Sequence, residues 1–306
     1  MKVTLLDDAS PRPRHVAVGE FDGVHVGHRE VIRGADTVLT FEPHPRAVVA
    51  PQAAPKLLTS LEVKADLIAG LGVEELVVIP FDEHFARQAP QAFIDTILVE
   101  RLGASTVAVG ENFRFGAKAA GDSALLQAQT AFETRVVPLV DVDAEVVSST
   151  HIRGLVMAGD LAAANRSLGS PYQLRGVVVH GDQRGRTLGY PTANLVPDDA
   201  LCYPGHGVYA CRAAVQDGPD GAWGWWDAAT NIGVRPTFVT GRGVLVEAHL
   251  TDFEGDLYGR DLRLVFLERL RGELRFDSAD ALVEQMHADV VAARAVSAES
   301  SPPASG

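Results

Sequence analysis

Midway along the chain the spacing of apolar residues changes, and that change limits the fold more than any single motif does. Up to about residue 170, short apolar runs alternate with helical patterns. The runs are "HVAVG" (15–19), "TVLTF" (37–41), "LVVIP" (76–80), "TVAVG" (106–110) and "RVVPLV" (135–140). Near-continuous Val/Leu runs suit strands covered on both faces, as in a parallel sheet. Helical patterns fall between them, over 60–70, 90–102 and 122–132. This alternation predicts an open α/β domain with ligands at the carboxyl ends of its strands. From about residue 175, strand-like runs follow one another across Gly, Pro and Asp turns: "GVVVHG" (176–181), "GVYACRAAVQ" (207–216), "DAATNIG" (227–233), "VLVEAHLTD" (244–252) and "LRLVFLERL" (262–270). No long helix intervenes, which predicts an antiparallel barrel or sandwich, followed by a helix over 278–295. The expected division is 1–169, an α/β domain; 170–296, an antiparallel β domain; and 297–306, a small, polar tail read as disordered.

Composition removes several function classes. The formal net charge is -13, so the chain is a poor non-specific binder of nucleic acid or of an anionic membrane. Any phosphate it handles must be held locally. The two cysteines, Cys202 and Cys211, form no CxxC, which excludes a disulfide framework and a cysteine-rich zinc site and fits a reducing cytoplasm. The N-terminal "MKVTLLDDASPRPR" has no apolar core of a secretory signal, and no apolar run has the length of a membrane span.

The first candidate site is "GEFDGVHVGH" (19–28), directly after the first apolar run. Such a place, between strand and helix, suits phosphate. Gly27 removes a side chain where the helix turn and a phosphate come close. His25 and His28 could donate to phosphate oxygens as charge builds in a transition state. They could also hold a metal, although no third ligand has obvious spacing, or lie on the surface. "VSSTHIR" (147–153) follows the last run of the same half, and Ser148, Ser149, Thr150 and Arg153 are suited to triphosphate oxygens. Alone, that segment could be a Ser/Thr-rich helix cap. HxGH early and SST-x-IR late in one α/β domain resembles the nucleotidyltransferase superfamily, which activates ATP at its α-phosphate. A Walker A motif is absent.

The second candidate site is "HGDQRGRTLGYPTANL" (180–195). Gly185 and Gly189 can bring backbone N–H groups against phosphate. Thr192 and Asn194 share a face of an extended segment and offer hard oxygens for Mg²⁺ carried on ATP. In "VLVEAHLTDF", Val244, Val246, Ala248 and Leu250 form an apolar face, with Glu247 and His249 opposite. Glu247 is then either a solvated strand carboxylate or a general base in an open barrel mouth.

Together these strings, with "LTFEPHP" (39–45), "VGENFRFG" (109–116), "NIGVRPTF" (231–238), "VEAHLTDFEGDLYG" (246–259) and "LRGELRFDS" (270–278), resemble the bacterial riboflavin kinase/FMN adenylyltransferases. The resemblance runs from about Val16 to Arg294. It implies a Rossmann-like nucleotidyltransferase domain with a parallel sheet, then an antiparallel β-barrel kinase domain with a C-terminal helix. It implies ATP, riboflavin and FMN as partners and Mg²⁺ with ATP, with flavins as substrate and product. By resemblance, His25 and His28 stabilise ATP phosphates, and Ser148, Ser149, Thr150 and Arg153 grip phosphate. Asn112 places nucleotide or FMN. Thr192 and Asn194 bind Mg²⁺–ATP, Glu247 is the base, and Asn231 and the region around Arg271 shape the flavin pocket. Three features depart from the family pattern. Only Arg29–Asp36 separates His28 from the next strand, many members carry Asp where Asn112 stands, and the loop after "RPTF" is short. The short connection raises one alternative, a kinase with a weakened or inactive first domain; a non-catalytic flavin-binding sensor on the same scaffold is a second, against which Glu247, Thr192, His25 and His28 speak.

Overall fold

The apolar runs of the first half become a sheet because both of their faces are covered. In the computed structural model, which describes residues 1–181, 189–196, 198–216, 221–237 and 241–300, with only the backbone of 234–237 and 241–243, the strands are β1 (Lys2–Leu5), β2 (Arg14–Val18), β3 (Thr37–Glu42), β4 (Glu75–Pro80) and β5 (Ala104–Gly110). A small antiparallel ribbon of β6 (Arg114–Phe115) and β7 (Gly121–Asp122) precedes β8 (Glu133–Val137). The ribbon β9 (Asp141–Val142) and β10 (Glu145–Val146) follows. The six-stranded sheet has the order β1-β4-β3-β2-β5-β8 and is parallel throughout. Val16, Val18, Leu39 and Val107 bury on one face, and Ala17, Val38, Leu76 and Ala108 on the other. The chain moves outward from β2 to β3 and β4, then returns to place β5 on the other side of β2. The carboxyl end of β2 is therefore the switch point of the sheet, where ligands of such folds bind.

The helices of this half are α1 (Val26–Ile32), α2 (Pro45–Val49), α3 (Leu61–Ala69), α4 (Pro90–Ala92, continued by a π-helical Phe93–Arg101) and α5 (Ser123–Gln127). The predicted helix over 122–132 is cut short. Gln129 Nε2 and Thr134 Oγ1 donate to the carbonyls of Leu125 and Leu126, which ends the helix before buried Phe132.

Next come α6 (Ser149–Ala158) and α7 (Leu161–Leu168), which lead into β11 (Tyr172–Val179), β12 (Ala193–Leu195), β13 (Gly207–Gln216), β14 (Trp223–Thr237), β15 (Gly241–Leu250) and β16 (Asp261–Arg271). These six strands close a barrel in the order β11-β12-β15-β14-β13-β16, every pair antiparallel. The rhythm of the strands alone leaves barrel and sandwich open; the barrel that the resemblance implies is the one the closed ladder forms. The C-terminal helix α8 (Ala279–Glu299), capped by Ser278, runs past residue 296, where the tail is expected to begin.

Contacts divide the chain into two units: Met1–Leu57 with Leu61–Ser149, and Leu58–Ser60 with the chain from Thr150. The expected boundary is at 169/170. The contact division lies earlier because Asn165 of α7 donates to the Phe266 carbonyl of β16 and accepts from the Tyr172 N–H of β11.

Candidate functional sites

After β2 the backbone turns through three left-handed residues, Phe21 (φ 50°), Gly23 (φ 84°) and Val24 (φ 43°). For β-branched Val24 this conformation is strained, and such strain persists only where the surroundings enforce it. Here both flanking side chains are locked in the core, Phe21 at 2% and Val24 at 0% exposure. The turn delivers His25 to the N-cap of α1, where its Nδ1 accepts the His28 N–H at 3.2 Å. Accepting at Nδ1 puts the proton of a neutral His25 on Nε2. The two imidazoles stack, centroids 3.5 Å apart and 18° between planes, with the Phe21 edge against His28. Gly27 has a geometric reason: a Cβ there would sit 3.2 Å from His25 Cε1. Burial first, then the unfavourable electrostatics of a second protonated imidazole at His25 and of the Lys64 ammonium, holds the His28 pKa well below its usual value, so the ring is neutral. Its Nδ1 is sealed and has no hydrogen-bond partner.

Of the SST-x-IR group, Ser149 reaches this turn, its Oγ donating to the Asp22 carbonyl at 3.0 Å. Ser148 precedes it on the same unit, while Thr150 and Arg153 belong to the second unit, where Arg153 Nη1 donates to Thr150 Oγ1 at 3.4 Å. Asn112 lies exposed in the turn after β5.

Sequence reasoning misses the other part of this site. A cavity of about 710 Å³ is walled by Phe41, Phe81, Phe85, Phe93, Phe113 and Phe115, with Glu20 among its polar lining. The rings meet edge-on or tilted, for example Phe41–Phe81 at 5.9 Å and Phe93–Phe115 at 5.4 Å, as aromatic quadrupoles favour. The signal is present in the sequence: Phe41, Phe81 and Phe113 each stand at or just after the carboxyl end of a strand, β3, β4 or β5.

In the barrel, register assembles the second site. Asn194 of β12 pairs with Glu247 of β15, and Glu247 pairs with Asn231 of β14. Directly opposed residues share a face, so the three form one row. Val246 and Ala248 are buried, whereas Glu247 and His249 are half-exposed, as the alternation predicts. His249 Nδ1 donates to the Pro191 carbonyl at 2.8 Å, which ties the approach to β12 onto β15. A second cavity, about 600 Å³, has Gly181, Thr192, Asn194 and Tyr258 in its wall. Asn194 is 5% exposed and its Oδ1 has no partner. A Cβ on Gly181 would come within 2.4 Å of the Asn194 amide, so only glycine fits beside it. Gly189 has φ +86° and open space around it, while Gly185 lies outside the described residues. Arg271 makes a two-pronged ion pair with Asp289 of α8, at 2.9 and 2.6 Å, and so fixes that helix against the barrel.

The FAD synthetase family profile matches residues 7–151, and the riboflavin kinase profile matches residues 168–297. The bifunctional riboflavin kinase/FMN adenylyltransferase of Pseudomonas fluorescens is 38% identical, over 94% of this chain and 96% of that protein. The protein of the same name from Listeria monocytogenes is 35% identical, over 90% and 89%. A solved structure from Streptococcus pneumoniae, titled a macrolide-efflux protein, superposes with a TM-score of 0.84 at 31% identity, over 96% of this chain and 99% of that one. With both profiles in order and relatives matched along nearly their whole length, the chain belongs to the family of bifunctional riboflavin kinase/FMN adenylyltransferases.

Proposed function

We propose that the chain makes FAD in two ATP-dependent steps, one in each unit. In the barrel, Glu247 accepts the proton of the riboflavin ribityl 5′-hydroxyl as that oxygen attacks the γ-phosphate of Mg²⁺–ATP, giving FMN and ADP. Mg²⁺ enters with ATP. Thr192 and Asn194 offer it neutral oxygens, and the sealed, unpartnered Oδ1 of Asn194 suits that role. Asn231 and the α8 region anchored by Arg271 shape the flavin side of the site.

In the first unit, a phosphate oxygen of FMN attacks the α-phosphate of a second ATP, and pyrophosphate leaves. Negative charge grows on the α-phosphate oxygens. His25, its proton on Nε2, and neutral His28 donate to them without needing to gain a charge. Ser148 and Ser149 are assigned to phosphate, and Asn112 to nucleotide or FMN, on the strength of their motifs; Thr150 and Arg153 continue the same motif on the second unit. The phenylalanine cavity takes the flavin ring, since apolar aromatic walls with few polar groups suit a flat heteroaromatic. The brevity of α1 does not leave His28 unsupported: Arg135 of β8 donates to the carbonyls of Glu30, Val31 and Arg33 at its end.

The observation that carries this reading is the row Asn194–Glu247–Asn231, a carboxylate base beside a metal-ligand amide. We place the enzyme in the cytoplasm, which the reduced, buried Cys202 and Cys211 support. The test is to incubate the protein with riboflavin, ATP and Mg²⁺ and separate the flavins. FMN followed by FAD supports both steps, FMN alone leaves only the kinase, and neither overturns the enzyme reading.

A further inference from the structure

The phenylalanine cavity holds a carboxyl group, that of Glu20, which lies sealed in its wall and which the chemistry above leaves unused. Glu20 follows β2, between the strand and the histidine turn, and lines the cavity. Its Oε1 is sealed from solvent and has no hydrogen-bond partner. The charged groups acting on it come from three elements: Asp22 in its own turn, Glu42 at the end of β3, and Lys64, 5% exposed, near the start of α3. Further round the cavity stand His44, Glu83, Arg87, Arg114 and Lys118. An ionised carboxylate without a donor is costly against such a wall, whereas a neutral carboxyl brings one donor and one acceptor.

We propose that Glu20 is a specificity-determining residue of the FMN site, its neutral carboxyl exchanging hydrogen bonds with the imide edge of the flavin ring held between the phenylalanines. This rests on the reading of the cavity as the flavin site for adenylylation. The imide edge carries an N–H beside carbonyl oxygens, so one neutral carboxyl can donate and accept there at once. A site built to make such bonds rejects flat hydrocarbons of similar size, because its buried polar group would stay unpaired. The electrostatics agree with the geometry. Burial raises the Glu20 pKa to about 8; Lys64 opposes the rise, and Asp22 and Glu42 add to it. The group is therefore protonated at neutral pH and loses its donor as pH climbs through that value.

The experiment measures the KM for FMN in FAD formation by the full chain from pH 7 to pH 9, with the KM for ATP alongside. Over this range the FMN phosphate is already doubly ionised, its second pKa being about 6. In the wild type the KM for FMN should rise above pH 8, by up to roughly tenfold per pH unit for a single essential proton. The KM for ATP should not follow it. Glu20→Gln keeps a donor and an acceptor, so its KM for FMN should be flat with pH. Glu20→Leu keeps bulk but no polar atoms, and should raise that KM about tenfold or more at every pH. A flat wild-type profile, or a Glu20→Gln enzyme that keeps the wild-type rise, overturns the proposal. If either variant folds poorly, the wild-type profile decides alone. A wild type that makes no FAD from FMN and ATP instead overturns the underlying assignment of the cavity.

Discussion

The imidazoles of His25 and His28 lie ring on ring, 3.5 Å apart, because His25 caps the helix whose first turn carries His28. The pair is thus one structural unit, and the two positions should not respond alike to mutation. His28→Ala removes a donor but leaves the cap. FAD formation should fall by 10²–10³, the order lost with one oxyanion-type donor, while FMN formation is unchanged. His25→Ala also removes the cap, adding roughly 1 kcal/mol of instability. Equal loss of both activities in His28→Ala would remove the assignment.

The buried His28 ring also carries a pH signature. Its folded pKa lies well below the 6.5 of an exposed histidine. The unfolded chain therefore takes up a proton near pH 6.5 that the folded chain refuses. The stability this group contributes is present above pH 6.5 and declines as pH falls below it. Titration followed by NMR should show the His28 ring unprotonated from pH 8 down to at least pH 6. A His28 signal that titrates near 6.5 would contradict the burial described here.

Glu247 stands between Asn194 and Asn231, and the role of base proposed for it separates turnover from binding. Glu247→Gln keeps the shape and both neighbours but cannot accept a proton. Riboflavin and Mg²⁺–ATP should still bind, and FMN formation should slow by roughly 10²–10⁴. Gly181→Ala tests the same site sterically, since its Cβ would collide with the Asn194 amide; it should raise the KM for Mg²⁺–ATP. Ordinary turnover in Glu247→Gln would make the carboxylate a solvated strand group.

Arg135 explains how a helix of two turns can hold the proposed catalytic pair in place. Its guanidinium collects three carbonyls at the end of α1, groups with no intrahelical partner. Arg135→Ala should slow FAD formation about tenfold, mostly in kcat, and cost about 1–3 kcal/mol by leaving those acceptors unpaired. Arg135→Lys should restore part of both. An Arg135→Ala enzyme with normal FAD turnover would show that α1 holds its position without the clamp.

The parts of this architecture that are legible in the sequence are those written locally. The runs around Val16, Leu39 and Val107 announce buried strands, and the alternation around Glu247 announces a half-exposed one. The HxGH histidines are found by spacing, although their stacking and the need for Gly27 are not. What escapes is long-range convergence. Phe41, Phe81 and Phe115 are far apart in the chain and look like ordinary core residues until the sheet brings their loops together. Arg135 reads as a strand residue, and the four-residue edge strand β1 is too short to show a period. The contact division lies earlier than the change of rhythm for the same reason. The rhythm changes near Ser170, but rhythm reports local conformation and says nothing about which core α6 and α7 join.

That boundary yields the last prediction. Leu161, Ala164 and Leu168 of α7 are buried, and Asn165 is bonded to both β11 and β16. The Gly205 N–H donates to the Val156 carbonyl of α6, and only glycine fits there, because a Cβ would lie 2.7 Å from the Met157 carbonyl oxygen. A fragment beginning at residue 170 uncovers this surface, and each large apolar side chain removed forfeits about 1.5–3 kcal/mol of burial. A fragment of residues 150–306 should fold cooperatively and convert riboflavin to FMN without making FAD. One of residues 170–306 should be several kcal/mol less stable in urea or fail to fold. Equal stability of the two would make α6 and α7 a dispensable cover. A well-folded 150–306 fragment unable to phosphorylate riboflavin would mean that a group from residues 1–149 completes the kinase site, since Thr192, Asn194, Asn231 and Glu247 are all retained in it.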